Sequence, residues 1–118
     1  MNLDDLQRAK HIKLAIEYIE KFVENLDIQE FENDILVKSA TERQLMIVGE
    51  ASNHISEEIK QQYPNINWRG IRGFRNIVVH EYFGSSTNIL WSVVVKELPK
   101  LKIVIQQIIN QLENQPTK

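Results

Sequence analysis

Apolar residues recur every three or four positions through long stretches of this chain, and short polar breaks separate the stretches. The first stretch runs from about Leu3 to Leu26 and places Ala9, Ile12, Ile16, Ile19, Val23 and Leu26 on one helical face. Lys10, Lys13, Glu17, Glu20 and Glu24 lie largely off that stripe. Asp4 and Asp5 suit the positive end of a helix dipole. Asp27 to Asn33 reads as a connector with a short helical turn. A second long helix is expected from about Asp34 to Gln62, with Leu36, Ala40, Leu45, Val48, Ala51, Ile55 and Ile59 as its buried stripe. Gly49 inside that helix costs about 1 kcal/mol relative to Ala, which points to close approach of another helix.

Tyr63-Pro64-Asn65-Ile66-Asn67 interrupts the pattern, because a proline disfavours helix at the residue before it. Asn67 suits the cap of a third helix running from Trp68 to about Phe83, followed by the turn-like Ser85-Ser86-Thr87-Asn88. The last stretch, from about Asn88 to Asn114, spaces Val94, Leu98, Leu101, Ile105, Ile108 and Leu112 by four and three. Pro99 inside it predicts a kink or two helices in close succession. Residues 115–118 read as a frayed tail. No stretch alternates as a strand does. The expectation is therefore an all-α, up-down bundle of four or five helices in one domain over residues 1–118. Long Ile-rich stripes on the first and last helices suggest surface for a homodimer.

Composition narrows the function. The 118 residues are 42% hydrophobic and 25% charged, an ordinary globular balance. A net charge of -2 argues against coating nucleic acid through overall charge, and leaves room for a small basic site. With no cysteine, thiolate catalysis, disulfides and Cys-based zinc sites are excluded. The N-terminus has no basic region leading into an apolar one, and no apolar run approaches the roughly 20 residues of a membrane span. No membrane partner and a cytoplasmic location are expected.

The chemistry concentrates in the third helix. Arg69, Arg72 and Arg75 follow one another at three-residue spacing and lead into Arg75-Asn76-Ile77-Val78-Val79-His80-Glu81-Tyr82. On a continuous helix Ile71, Phe74, Ile77 and Val78 take the core side. Arg72, Asn76 and His80 then form a stripe of i,i+4 neighbours on the other side, flanked by Arg75 and Tyr82, while Glu81 falls near the core arc. Taken singly, each has a structural reading: an arginine paired with Glu57, Glu58 or Glu81, a packed Tyr82, a solvated His80. Together they separate polar from apolar faces. Arginine matches phosphate oxygens with a planar fork, and histidine exchanges a proton near neutral pH. RNA brings its own nucleophile in the 2′-hydroxyl. A metal-free ribonuclease then needs a base, a cation and an acid, of which one chain offers Arg75 and His80; a symmetric dimer would supply two of each. Glu50 and His54 share a face one turn apart, but no second cluster accompanies them and no metal or other cofactor is expected. His54 and His11 each read as structural or solvent-facing residues.

Arg75-x4-His80, with Asn76 after the arginine and Tyr82 after the histidine, resembles the signature of HEPN domains and of their HepT subfamily. Gly49-Glu50-Ala51, Trp68 with the lead-in from Ile71 to Phe74, and Trp91 with Leu98-Pro99 extend the likeness over nearly the whole chain. The resemblance implies a helical-bundle ribonuclease toxin of a type VII toxin–antitoxin module. Such a toxin dimerises through its motif helices and cuts RNA without metal. By position Arg75 and His80 would be catalytic, with Asn76 and Arg72 supporting the site. Tyr82 would be the hydroxyl that receives AMP from an MntA-like nucleotidyltransferase antitoxin. Two other readings stay open at this stage: a non-catalytic partner subunit that holds a nucleotide or phosphate, and a purely structural dimerisation bundle.

Overall fold

The computed structural model describes residues 3–82 and 87–114, with side chains for residues 4–78 and 87–114. Within them the chain is all-α. Helix α1 spans Leu3–Val23, with Asp4 and Asp5 in its first turn. Asn25 carries the chain out of it at φ 65, a left-handed conformation that asparagine tolerates better than most residues. The connector that follows is a helix in its own right, α2, Ile28–Asn33. A capping box builds it: the Asp27 carboxylate accepts from the Glu30 amide at 2.8 Å, and the Asp27 amide donates to Glu30 Oε1 at 3.0 Å. Its one buried side chain, Phe31, packs on Trp91 with ring centroids 5.1 Å apart.

Helix α3 spans Ile35–Asn53, started by Asp34, whose carboxylate accepts from the Val37 amide at 3.1 Å. Leu45, Val48 and Ala51 are buried as expected, but Leu36 is 83% exposed. Nine residues separate Leu36 from Leu45, which puts them about 180° apart around the axis, so Leu36 belongs to the outer face. The long helix expected to continue to Gln62 stops at Asn53, and α4 restarts at Glu57–Gln62. The break is built by residues distant in sequence. The Ser56 hydroxyl caps α4 by accepting from the Ile59 amide at 3.3 Å. Ser56 in turn donates its amide and hydroxyl to the Asp5 carboxylate at 2.9 and 2.7 Å. Asp5 is only 4% exposed, and these two bonds compensate its burial.

Pro64 then reverses the chain. Tyr63 donates its hydroxyl to Gln111 at 2.8 Å, and Gln111 donates to Gln62 at 2.7 Å, which ties the reversal to the last helix. Asn67 caps α5, Trp68–Arg72, by accepting from the Gly70 amide at 2.9 Å. A separate helix, α6, follows at Phe74–Tyr82. Gly49 faces the junction between them: a Cβ there would lie 3.1 Å from the Ile71 carbonyl oxygen and 3.5 Å from Phe74 Cβ. The close approach expected of that glycine is therefore found, and it seats the α5–α6 corner against α3.

Helix α7 spans Thr87–Ser92, a π-helical turn covers Val93–Glu97, and α8 runs Leu98–Glu113. The Leu98 amide reaches back five residues to the Val93 carbonyl. This widened turn falls where Pro99, in the first turn of α8, has no amide to offer, so the expected kink is present as a π-turn. Val94, Leu98, Leu101, Ile105, Ile108 and Leu112 are all buried. So are Ala9, Ile12, Ile16 and Ile19 of α1. The Ile-rich stripes that suggested spare surface are thus used within the chain, where α1 packs on α3 and α8. At the rim of that packing, Lys10 meets Glu113 at 3.0 Å and Lys102 meets Glu20 at 2.8 Å. The bundle measures 51 × 25 × 20 Å. Among the described residues no helix is long and apolar enough to cross a membrane. The tail expected at residues 115–118 and the turn through residues 83–86 lie outside the described residues.

Candidate active site

Over residues 74–78, α6 separates apolar from polar positions as the sequence predicts. Phe74 and Val78 are buried, Ile77 is half-buried against the core, and α6 packs on α3. Arg75 and Asn76 are exposed on the opposite side. His80 follows Asn76 by one helical turn, and Tyr82 follows Arg75 by seven residues, both within α6. The side chains of His80, Glu81 and Tyr82 lie outside the described residues, including the poor fit expected of Glu81.

The uninterrupted Arg72-Asn76-His80 stripe is revised by Gly73. Its amide donates to both Arg69 O at 3.2 Å and Gly70 O at 3.0 Å, and so closes α5. The next helix starts with a tightened turn in which the Asn76 amide donates to Gly73 O at 2.9 Å. Asn76 and His80 share α6, whereas Arg72 ends α5. Arg72 lines instead a shallow groove of about 330 Å³ with Glu57, Lys60, Gln61, Trp68 and Arg69.

Among the described residues no carboxylate pairs with Arg69, Arg72 or Arg75. Glu57, one of the candidate partners, sits 3.9 Å from Lys60 instead, and its own side chain is 83% exposed. Unpaired guanidinium groups on an exposed face suit an anionic ligand with a planar array of oxygens. Two larger hollows, of about 710 and 700 Å³, lie along residues 26–36 and along α1 from Leu14 to Glu24. Their linings are acidic and apolar with a single lysine, and contain no residue of the motif. Glu50 and His54 are both exposed, and His54 caps the end of α3. Among the described residues no group of three or more His, Asp or Glu gathers as a metal site would require.

The sequence marks Arg72, Arg75, Asn76, His80 and Tyr82 by their shared motif, whereas Lys60 and Gln61 carry no motif of their own. Those two come beside Trp68 and Arg69 because the chain breaks at Ser56 and reverses at Pro64. The local signal was Ser56 followed by Glu57 and Glu58, a capping serine before an acidic first turn.

Comparison with known proteins places the chain in a family. The model of a family described as ribonuclease HepT-like matches residues 12–108. The "Probable ribonuclease HepT" of Thermococcus cleftensis is 38% identical over 88 residues, 75% of this chain and 80% of that protein. Two proteins of Methanocaldococcus jannaschii are also similar. "Putative RNase MJ1380" is 38% identical over 82 residues, 70% of this chain and 75% of that one. "Putative RNase MJ1216" is 32% identical over 101 residues, 83% of this chain and 84% of that one. No solved structure matches the chain at a comparable level. With that family model matching residues 12–108, this all-α chain belongs to the HepT-like ribonuclease family.

Proposed function

We propose that the protein is a metal-independent endoribonuclease whose catalytic cleft is completed by a second copy of the chain. We further propose that it is a toxin silenced by AMP transfer to Tyr82. Family membership supports RNA as the substrate class. The observation that carries the reading is the exposed Arg75, without a carboxylate partner among the described residues, beside Asn76 on α6, which precedes His80 by one turn.

Cleavage would proceed by attack of the 2′-oxygen on the neighbouring phosphorus. A base removes the 2′-proton as the new P–O bond forms. The bond to the 5′-oxygen breaks, an acid protonates that oxygen, and a 2′,3′-cyclic phosphate and a 5′-hydroxyl remain. His80 is suited to either proton transfer. Arg75 is suited to the charge that builds on the non-bridging oxygens, with Asn76 as a neutral donor and Arg72 as a further cation nearby. Positions 75 and 80 lie about 140° apart around one helix, so a single copy has difficulty converging both on one phosphorus. Two motif helices facing each other would supply two cations, a base and an acid. AMP on Tyr82, two turns beyond Arg75, would add nucleoside bulk and a phosphodiester charge where RNA phosphate must bind. An MntA-like nucleotidyltransferase is the expected donor enzyme.

Expression of the wild type alone should arrest growth, and Arg75→Ala or His80→Ala should each relieve the arrest. The purified wild type should cleave single-stranded RNA in the presence of EDTA. Loss of cleavage on chelation, or unchanged cleavage by His80→Ala, would contradict the mechanism.

A further inference from the structure

We infer that the groove between α4 and α5 is a second RNA contact, which holds one unpaired nucleotide next to the phosphodiester that is cut. The inference rests on the ribonuclease reading for its substrate and on a different set of residues for its evidence. Three cations line the groove, Lys60, Arg69 and Arg72; the Lys60 side chain is only 12% exposed and its ammonium lies 3.9 Å from the one carboxylate, Glu57, so the two arginines carry the excess charge. Arg69 and Arg72 are exposed and have no carboxylate partner among the described residues. Trp68, half-buried, completes the wall.

The groove is pre-organised. The Trp68 indole donates Nε1–H to the Tyr63 carbonyl at 3.1 Å, which fixes the ring and leaves it no polar edge to satisfy. Asn67 fixes the start of α5, and the Asp5–Ser56 bonds fix the start of α4. A volume of about 330 Å³ is at the small end of ligand sites and suits a single nucleotide. Single-stranded RNA is held by this combination: a ring or guanidinium plane for the base, and cations for the backbone. The groove also lies on the path of the substrate. Arg72 lines it, and only Gly73 and Phe74 separate Arg72 from Arg75. Arg69 and Arg75 are six residues apart across the α5–α6 corner, which limits their backbone separation to at most roughly 20 Å, the span of a few nucleotides.

The test uses a fluorescent single-stranded RNA oligonucleotide and the full chain carrying His80→Ala, so that binding is read without cleavage. Arg69→Ala, and Lys60→Met, which keeps the aliphatic stem, should each weaken binding several-fold. Each should also lower the salt dependence of log K by about 0.7, the contribution of one single-strand phosphate contact. Lys100→Met on α8 is the charge-matched control. In a Trp91→Phe background, RNA should quench Trp68 fluorescence. In the chain with His80 intact, Arg69→Ala should raise KM and leave kcat within about two-fold, the signature of lost uniform binding. If wild type fails to cleave yet Arg69-dependent binding persists, the groove stands and the ribonuclease reading falls. If wild type cleaves and the Arg69 and Lys60 variants match it in affinity, salt slope and KM, the groove is not an RNA site. Unchanged RNA binding with lost capture of a nucleotidyltransferase would overturn it equally, in favour of a protein contact.

Discussion

Arg75 and His80 are asked for different things, so their variants should fail differently. Arg75→Ala removes a transition-state cation and should lower kcat by about 100- to 1,000-fold, with a smaller effect on KM. Arg75→Lys keeps the charge and loses the planar fork, and should recover only part of that loss. His80→Ala should remove the bell-shaped pH dependence expected of a base and an acid working in one cleft, which a pH–rate profile of residual cleavage would reveal. Tyr82→Phe should keep cleavage intact and block labelling by a nucleotidyltransferase with radioactive ATP; persistent labelling would assign the modification elsewhere. At this scale the sequence was informative where chemistry is local. The separation of exposed Arg75 and Asn76 from buried Phe74 and Val78 follows from helical angle alone. Leu36 lies on the outer face because successive steps along the stripe drift around the axis, and its total angle to Leu45 is about 180°.

Two elements set the position of the motif helix, and each can be probed without touching the motif. Gly49 lets the Ile71 carbonyl approach α3, and Gly49→Val would force that backbone outward. It should cost about 1–3 kcal/mol in urea unfolding and reduce cleavage by displacing α6. Asp5→Ala would leave the Ser56 amide and hydroxyl without their acceptor and should destabilise the protein by about 1–3 kcal/mol, measured in the same way. Lys102 lies at the opposite rim, where its hydrogen bond to Glu20 raises its pKa above the ordinary lysine value despite some opposing desolvation. The raised value means that its contribution is complete at neutral pH and is lost only as pH climbs through the alkaline range. The helices themselves were legible, because caps at Asp34 and Asn67 and the Pro99 break are written locally. The break at Ser56 was not, since its acceptor, Asp5, lies 51 residues away.

At the scale of the whole molecule the chain closes its own core, and the function proposed for it does not fit inside one copy. The stripes of α1 and α8 are buried in the core of one chain, and the proposed chemistry asks for a second copy at the polar face of α6. The family and the all-α bundle follow from features distributed over the sequence, whereas the α4–α5 groove depended on how two short helices pack. The most direct test of the composite cleft is the activity of a heterodimer with one wild-type copy and one His80→Ala copy, isolated through two different affinity tags. A cleft that needs both imidazoles predicts that this heterodimer cleaves RNA no faster than the doubly substituted dimer. Retention of about half the wild-type activity would show that each copy works alone.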